Sequence, residues 1–402
     1  MNVLFFTNEY PPHIYGGAGI HVQYLSRELA KLMPVHVRCF GDQNVTSENL
    51  SALGFSLNSD NYTCPKPLKS VFGALQRCLD FNTLEFKADL VHCHTWYVQW
   101  AGILAKLNYG IPMVITVHSL EPLRPWKREQ LGGGYDFSCW VEKTALEMAD
   151  AVIAVSRETK HDIEHLFDVR PERLHVIYNG IDLEEYKRVD SRAALKRFAI
   201  NPLEPYVLFV GRITRQKGII HLVNAIKYLD PGFQIVLCAG APDTQEIGAE
   251  MKNAVSAAQQ KHSGVIWIEE MVDVETKIEL YSNAAVFVCP SIYEPFGIIN
   301  LEAMACRTPV VAAAVGGIKE VVVHGETGYL VSIDQMQESP FEPVAPDRFS
   351  RDLAARINEL MADSTKRKAF GEAGRRRAEE IFGWPAIAHQ TAKLYESLIK
   401  KK

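Results

Sequence analysis

None of the eight cysteines is spaced C-x-x-C with another, which removes the commonest signature of a redox or zinc-binding thiol pair. Cys93, Cys238 and Cys289 sit in or beside apolar strand-like runs, as reduced core thiols of a cytoplasmic protein do. No D-x-D occurs in the chain, so a diphosphate bridged to aspartates by a metal is not expected. Neither sign of charge is in large excess: 43 Lys and Arg against 48 Asp and Glu leave a net charge of −5. That balance gives no electrostatic reason to expect nucleic acid or an acidic membrane surface. No apolar run approaches the length needed to cross a bilayer. The opening Met1-Asn2-Val3-Leu4-Phe5-Phe6 lacks a basic flank and a small-residue cleavage site, so it reads as a first strand and not as a signal peptide.

What remains is a chain of 402 residues, long enough for two full cores. Val3 to Phe6 reads as a strand, followed by a glycine-rich turn and a helix from about Ile20 to Leu32. Its Val22, Leu25, Leu29 and Leu32 follow the spacing of one buried face. Asp89 to Trp96, Met113 to His118, Ala151 to Val155 and Leu174 to Ile177 supply further strands. Strands alternating with helices make a doubly wound domain with a parallel sheet. The pattern breaks around Ala199 to Pro205, where a linker is expected. The opening grammar then repeats: Tyr206 to Val210 a strand, Gly211 to Gly218 a loop, Ile219 to Leu229 a helix. Strands at Gln234 to Leu237, Val265 to Ile268, Val286 to Cys289 and Val310 to Ala313 follow. The fold class is therefore α/β, with two Rossmann-like domains. Near the end, the Arg375-Arg376-Arg377 run reads as a solvated helix face, and Phe382-Gly383-Trp384-Pro385 breaks the chain before a last amphipathic helix.

The candidate chemistry gathers where strands end. After the Ala284 to Cys289 strand comes Glu294-Pro295-Phe296-Gly297, and Ile298 to Ala305 is helix-compatible. In an open parallel sheet that strand end is where ligands bind, and a helix's free N–H groups make an anion site. Glu294 in the turn and Glu302 about one helical turn inside are too far apart for a close acid/base pair. They suit the two ends of one elongated ligand with a negative middle, the shape of a sugar nucleotide. An ordinary helix start is the alternative, because acidic residues favour that position anyway. Arg212 and Lys217, in the loop after the Tyr206 strand, suit a diphosphate leaving group as planar fork and point charge. Tyr15-Gly16-Gly17-Ala18-Gly19 has phosphate-binding geometry, although a tight turn without ligand fits too and G-x-G-x-x-G is not matched. His92, His94 and His118 end two strands. A single histidine there is usually structural, but several on one rim single out His118. The basic, aromatic loop from Glu121 to Arg128 is either solvated or a clamp for a second anionic substrate through Arg124 and Lys127.

Together these residues resemble retaining glycosyltransferases of the GT-B architecture, specifically bacterial glycogen synthases of the actinobacterial type, a group that includes maltose-1-phosphate synthases. The resemblance rests on the 15–19 turn, on His118-Ser119-Leu120-Glu121-Pro122-Leu123-Arg124-Pro125-Trp126-Lys127, on the Gly211 to Gly218 loop and on the E-x7-E spacing of Glu294 and Glu302. It implies two domains facing a central cleft: residues 1–200 with a returning helix over 385–402 as the acceptor domain, and 201–384 as the nucleotide-sugar donor domain. It implies α-1,4-glucosyl transfer from ADP-glucose to an α-glucan or to glucose 1-phosphate, with neither metal nor cofactor. By the same resemblance Glu294 contacts the donor glucose and Glu302 the ribose. Gly17, beside Gly16, approaches the phosphates, and His118 hydrogen-bonds the transferring sugar. The backbone of Phe296, Gly297, Ile298 and Ile299 holds the diphosphate. Long-glucan synthases carry a lysine where this chain has Ile14-Tyr15 and an aspartate where it has Thr95. Those departures favour a small acceptor such as glucose 1-phosphate. Other readings are a GT-B transferase using another sugar nucleotide, a pyridoxal-phosphate phosphorylase, and a sugar-nucleotide binding module without turnover. Association into a homo-oligomer is left open.

Overall fold

The computed structural model describes residues 1–57, 62–85, 87–336 and 341–400. Val3–Thr7 (β1) is apolar apart from its last residue and buried at every position, the pattern of a parallel strand covered on both faces. The strands that follow are Val35–Phe40 (β2), Asn44–Thr46 (β3), Leu50–Phe55 (β4), Leu90–His94 (β5), Met113–Val117 (β6), Ala151–Ala154 (β7) and Leu174–Val176 (β8). They form one sheet in the order β3-β4-β2-β1-β5-β6-β7-β8. Every pairing in it is parallel except that of the exposed β3 with β4.

A second sheet is built from Tyr206–Arg212 (β9), Gln234–Gly240 (β10), Val265–Ile268 (β11), Val286–Cys289 (β12), Val310–Ala313 (β13) and Gly328–Val331 (β14). Its order is β11-β10-β9-β12-β13-β14, and all its pairings are parallel. This is the doubly wound order in which the first strand lies at the centre and the topology switches direction beside it. The switch points are the β1/β5 boundary in the first sheet and the β9/β12 boundary in the second. Loops leaving the C-terminal ends of those strands diverge to opposite faces, which opens a crevice at each boundary.

The chain divides into one unit of Met1–Gly180 with the stretch from Trp384 onward, and another of Ile181–Gly383. The first crossing thus falls at residue 180, ahead of the expected linker near residue 200. The reason lies in the packing of the intervening segment. Glu279 accepts from the Ser191 hydroxyl at 2.6 Å and from the Ala194 N–H at 2.7 Å, and the short helix Ala193–Arg197 rests on Val274–Asn283. Tyr178-Asn179-Gly180 is where the chain leaves the first unit.

The last helix, Trp384–Ile399, packs on Gly17–Leu29 through a core holding Val22, Leu25, Ile387, Ala388 and Tyr395. Trp384 stacks on Tyr24, with ring centroids 5.8 Å apart. A side chain at Gly180 would overlap its indole. The arginine run behaves differently from the solvated face expected. Arg375 donates to the carbonyls of Tyr186 and Ala305 at 2.8 and 3.0 Å, and Arg377 to that of Val321 at 2.9 Å. Only Arg376 of the three faces water.

Candidate functional site

In the second unit the loops after β9 and β12 meet at the switch point. Gly218 has φ +60, and a Cβ there would collide with the Pro290 carbonyl oxygen. A glycine is therefore required at this crossing, which seats Lys217 against the end of β12. The Lys217 ammonium reaches Glu294 Oε2 at 2.6 Å, and the Ser291 hydroxyl donates to the same oxygen at 3.3 Å. Glu294 is buried. Its own turn is gripped from the other side: the Gly317 N–H donates to the Glu294 carbonyl at 3.0 Å. A side chain at Gly316, at φ +47, would overlap that carbonyl.

Glu294 leads into the helix Ile298–Ala305, entered through Gly297 at φ +99 with no side-chain cap. The left-handed entry favours glycine, and the absence of a side-chain cap leaves the first-turn donors of Ile298 and Ile299 with the positive end of the helix dipole. Phe296 lies in the core, edge-on to Phe382. Glu302, a turn along, is enclosed and satisfied. It accepts from the hydroxyls of Tyr186 and Tyr281 at 3.1 and 2.9 Å and from Lys277 at 3.2 Å. Burial and the Glu302 charge push both tyrosine hydroxyls well above their usual range. Glu302 thus stands in a closed network and not at the open end of a ligand groove. Arg212 meets Asp243, in the loop after β10, at 2.8 Å.

In the first unit the glycine turn is closed by the chain itself. Glu9 accepts the N–H groups of Tyr15 and Gly16, both at 2.8 Å, and Gly19 leaves room for its side chain. The helix starts at Gly17, three residues before the sequence reading, and Gly17 is exposed. Across the β1/β5 switch point Thr95 donates to Asn8 at 2.6 Å. Thr95 holds φ +70, a strained state for a β-branched residue and one that clusters at functional sites.

The strand-end histidines converge with a fourth. His94 and His118 share a hydrogen bond of 3.0 Å, and His21, from the helix Gly17–Leu29, packs edge-on to His118 at 4.7 Å between centroids. His92 joins Tyr395 at 2.5 Å and Thr116 at 2.8 Å. Burial holds His21 down at about 4, and burial with neighbouring imidazoles holds His92, His94 and His118 well below the histidine range. The rings are neutral at pH 7.

The loop from Glu121 to Arg128 is neither solvated nor an open clamp. Lys127 is buried on Glu121 at 3.2 Å, and Arg124 lies 3.5 Å from the same carboxylate oxygen. Glu121 also accepts from Ser138, and its N–H donates to Glu142 at 2.7 Å. Burial, helped by Arg124, lowers Lys127 to about 8. Burial and the Glu121 charge raise Glu142 well above the carboxylate range. Arg124 and Lys127 thus gather on one Glu121 oxygen.

Of the expected residues, Lys217 and Glu294 are brought together beside the helix start, and His118 lies within the histidine cluster. Arg212, Glu302, Arg124 and Lys127 each hold partners that sequence reading did not name. Asp243, Tyr186, Lys277, Tyr281, Glu9 and His21 were missed. Glu9, between the first strand and the 15–19 turn, and His21, in the helix that follows, adjoined stretches already read.

Comparison with known proteins fits this geometry. The profile of Glycosyltransferase Family 4 matches residues 15–185, and that of Glycosyl transferases group 1 matches residues 190–339. The chain is 45% identical to the alpha-maltose-1-phosphate synthase of Mycolicibacterium smegmatis, over 99% of this chain and all of that one. It is 43% identical to that of Mycobacterium tuberculosis, over 99% and 100%. Among solved structures, a sucrose-phosphate synthase from Thermosynechococcus elongatus superposes with a TM-score of 0.79 at 26% identity, covering both chains completely. Among the described residues no helix is long and apolar enough to cross a membrane. Two doubly wound sheets, a cation–carboxylate pair at the second switch point and full-length identity above 40% agree: this chain is a glycosyltransferase of the GT-B fold and belongs to the family of the alpha-maltose-1-phosphate synthases.

Proposed function

We propose that the chain transfers glucose, with retention, from ADP-glucose to glucose 1-phosphate, forming α-maltose 1-phosphate, with a longer α-glucan as a further acceptor. The observation that carries the donor half is the uncapped start of Ile298–Ala305 lying beside Lys217 and Glu294 at the β9/β12 switch point. A diphosphate seated there meets backbone donors and an ammonium together. The acceptor half is supported by the relatives and by the two cations, Arg124 and Lys127, gathered on Glu121.

In this reading the bond from glucose C1 to the diphosphate oxygen breaks as the acceptor hydroxyl approaches the same face. The leaving phosphate takes the acceptor's proton. Glu294 binds the glucose as a carboxylate already engaged by Lys217 and Ser291, and forms no adduct. His118 hydrogen-bonds the sugar. The cationic groups Lys217 and Arg212 do the work a metal would do on the departing diphosphate; removing one such donor costs about 3 kcal/mol, or roughly 10²-fold in rate.

The test is purified protein incubated with ADP-glucose and either glucose 1-phosphate or glycogen, with the product identified by mass and its anomer by NMR. A disaccharide phosphate with both α linkages, formed undiminished in EDTA, is the expected result. Donor binding without product across an acceptor panel would convert the reading to a binding module. A clear preference for another sugar nucleotide would remove ADP-glucose from it.

A further inference from the structure

The histidine cluster of the first unit holds more than a hydrogen-bond network requires. His94, at the end of β5, and His118, just past β6, lie on neighbouring strands; His21 reaches them from the helix Gly17–Leu29. One ligand nitrogen from each lies within 4.8 Å of those of the other two. His21 Nδ1 is held by Asn179 Oδ1 at 2.7 Å, which makes Nδ1 the donor and turns Nε2 into a fixed lone pair. That Nε2 is buried without a hydrogen-bond partner, and a buried lone pair left unpaired is costly unless something uses it. His92 is no candidate, because Tyr395 and Thr116 occupy both its nitrogens.

We propose that His21, His94 and His118 form a site for a borderline divalent transition metal of the Zn²⁺ class, and that its occupation withdraws His118 from the transferring sugar. Three neutral imidazoles without a carboxylate select zinc, copper or nickel over magnesium or calcium. A tetrahedral zinc with Zn–N of about 2.0–2.1 Å needs ligand nitrogens about 3.4 Å apart, so nitrogens that lie within 4.8 Å of one another close by about 1.4 Å or less. The metal takes the place of the proton shared by His94 and His118, which moves to the other nitrogen of its ring; no proton has to leave. Asn179 then serves as the outer partner that orients a metal-bound imidazole. The fourth position falls to water or to a substrate hydroxyl. The inhibitory half rests on the role given above to His118; the metal site itself does not.

The exposed pair His161 and His165, one turn apart on Arg157–Leu166 with rings 4.1 Å apart, would bind the same metals weakly and must be removed first. In the H161A/H165A protein, one equivalent of Zn²⁺ retained through desalting is expected, together with the visible absorption of tetrahedral Co²⁺ on substitution. His94→Gln and His118→Asn should each weaken binding more than about tenfold, with far-UV circular dichroism reporting the fold. His118 is only half-buried, so H118N carries the test should H94Q fail to fold. Zn²⁺ should suppress glucosyl transfer, and EDTA should restore it. Retention below about a fifth of an equivalent, or binding indifferent to H118N, overturns the site while leaving the proposed transferase reading intact. Tight binding with transfer undiminished overturns the inhibitory half, and with it the placement of His118 on the sugar.

Discussion

Replacing Lys217 by methionine keeps most of the side chain's bulk and deletes one charge, and the structure says what that charge is worth in two places. In the proposed transition state the ammonium faces a departing diphosphate, and its loss should cost about 3 kcal/mol, roughly 10²-fold in kcat. In the resting protein it is the cation on Glu294, 2.6 Å away, whose remaining partner on the same oxygen is the Ser291 hydroxyl at 3.3 Å. Stranding a carboxylate that is only 8% exposed costs about 3 kcal/mol in stability, the low end for a broken buried pair because water reaches Lys217. The two effects are separable. Adding Glu294→Gln removes the stranded charge, so the K217M/E294Q protein should recover most of the lost stability. If the lysine acts on the leaving group, the double variant should still turn over roughly 10²-fold more slowly than E294Q alone. The assay is ADP release at saturating donor and acceptor, with urea denaturation alongside. Should K217M/E294Q match E294Q in kcat, Lys217 serves only to neutralise Glu294, and the leaving-group argument fails.

Asp243→Asn removes the carboxylate that Arg212 meets at 2.8 Å; for a partly exposed pair of about 1 kcal/mol the donor KM should fall about fivefold. A rise instead would show that Asp243 aims the guanidinium. Lys127, held down to about 8 by burial, loses its proton as pH rises through that value, so the KM for glucose 1-phosphate should climb above pH 8 and stay flat between 6.5 and 7.5. The inflection should vanish in Lys127→Met; an unchanged profile in that variant would assign it elsewhere. Gly218→Ala forces a Cβ onto the Pro290 carbonyl at φ +60 and should destabilise the second unit by more than about 2 kcal/mol, read by urea denaturation; wild-type stability would mean that the β9 loop can re-route.

The places where chemistry gathers were legible because backbone geometry writes itself locally. An apolar run followed by Glu294-Pro295-Phe296-Gly297 and resuming as a helix marks a strand end wherever it occurs, and the repeat of the opening grammar marked a second Rossmann-like domain. The charge partners were not legible. Lys217 and Glu294 lie 77 residues apart, and Arg212 and Asp243 lie 31 apart, so their pairing depends on strand order, which no spacing reveals. Loop composition misled for a related reason. Arg124 and Lys127 read as solvated or as an open clamp because the burying elements, Gly134–Met148 with Ser138 and Glu142, come later in the chain. Glu121, three and six residues before them, was the available hint. The same holds for Arg375, whose carbonyl partners Tyr186 and Ala305 belong to distant segments.

These pairings share a consequence for how an anion would bind. Glu9 covers the N–H groups of Tyr15 and Gly16, Asp243 holds Arg212, Glu294 holds Lys217 and Glu121 holds Lys127. Cations gathered without carboxylates would repel one another and stay hydrated; held this way, they are oriented and partly stripped of water before any ligand arrives. A nucleotide diphosphate seated as proposed in the second unit would carry more charge than either carboxylate there, Asp243 or Glu294, and would share their cations without first ordering them. The start of Ile298–Ala305 differs, because no side chain caps it. Diphosphate can engage that helix end without displacing a side-chain cap, whereas at Lys217 and Arg212 it must share the donor with a carboxylate. The favoured sequence is therefore helix first and side chains second. It follows that the two cations contribute least to the ground state and most as negative charge builds on the leaving oxygen, which is the condition for raising kcat and not merely lowering KM.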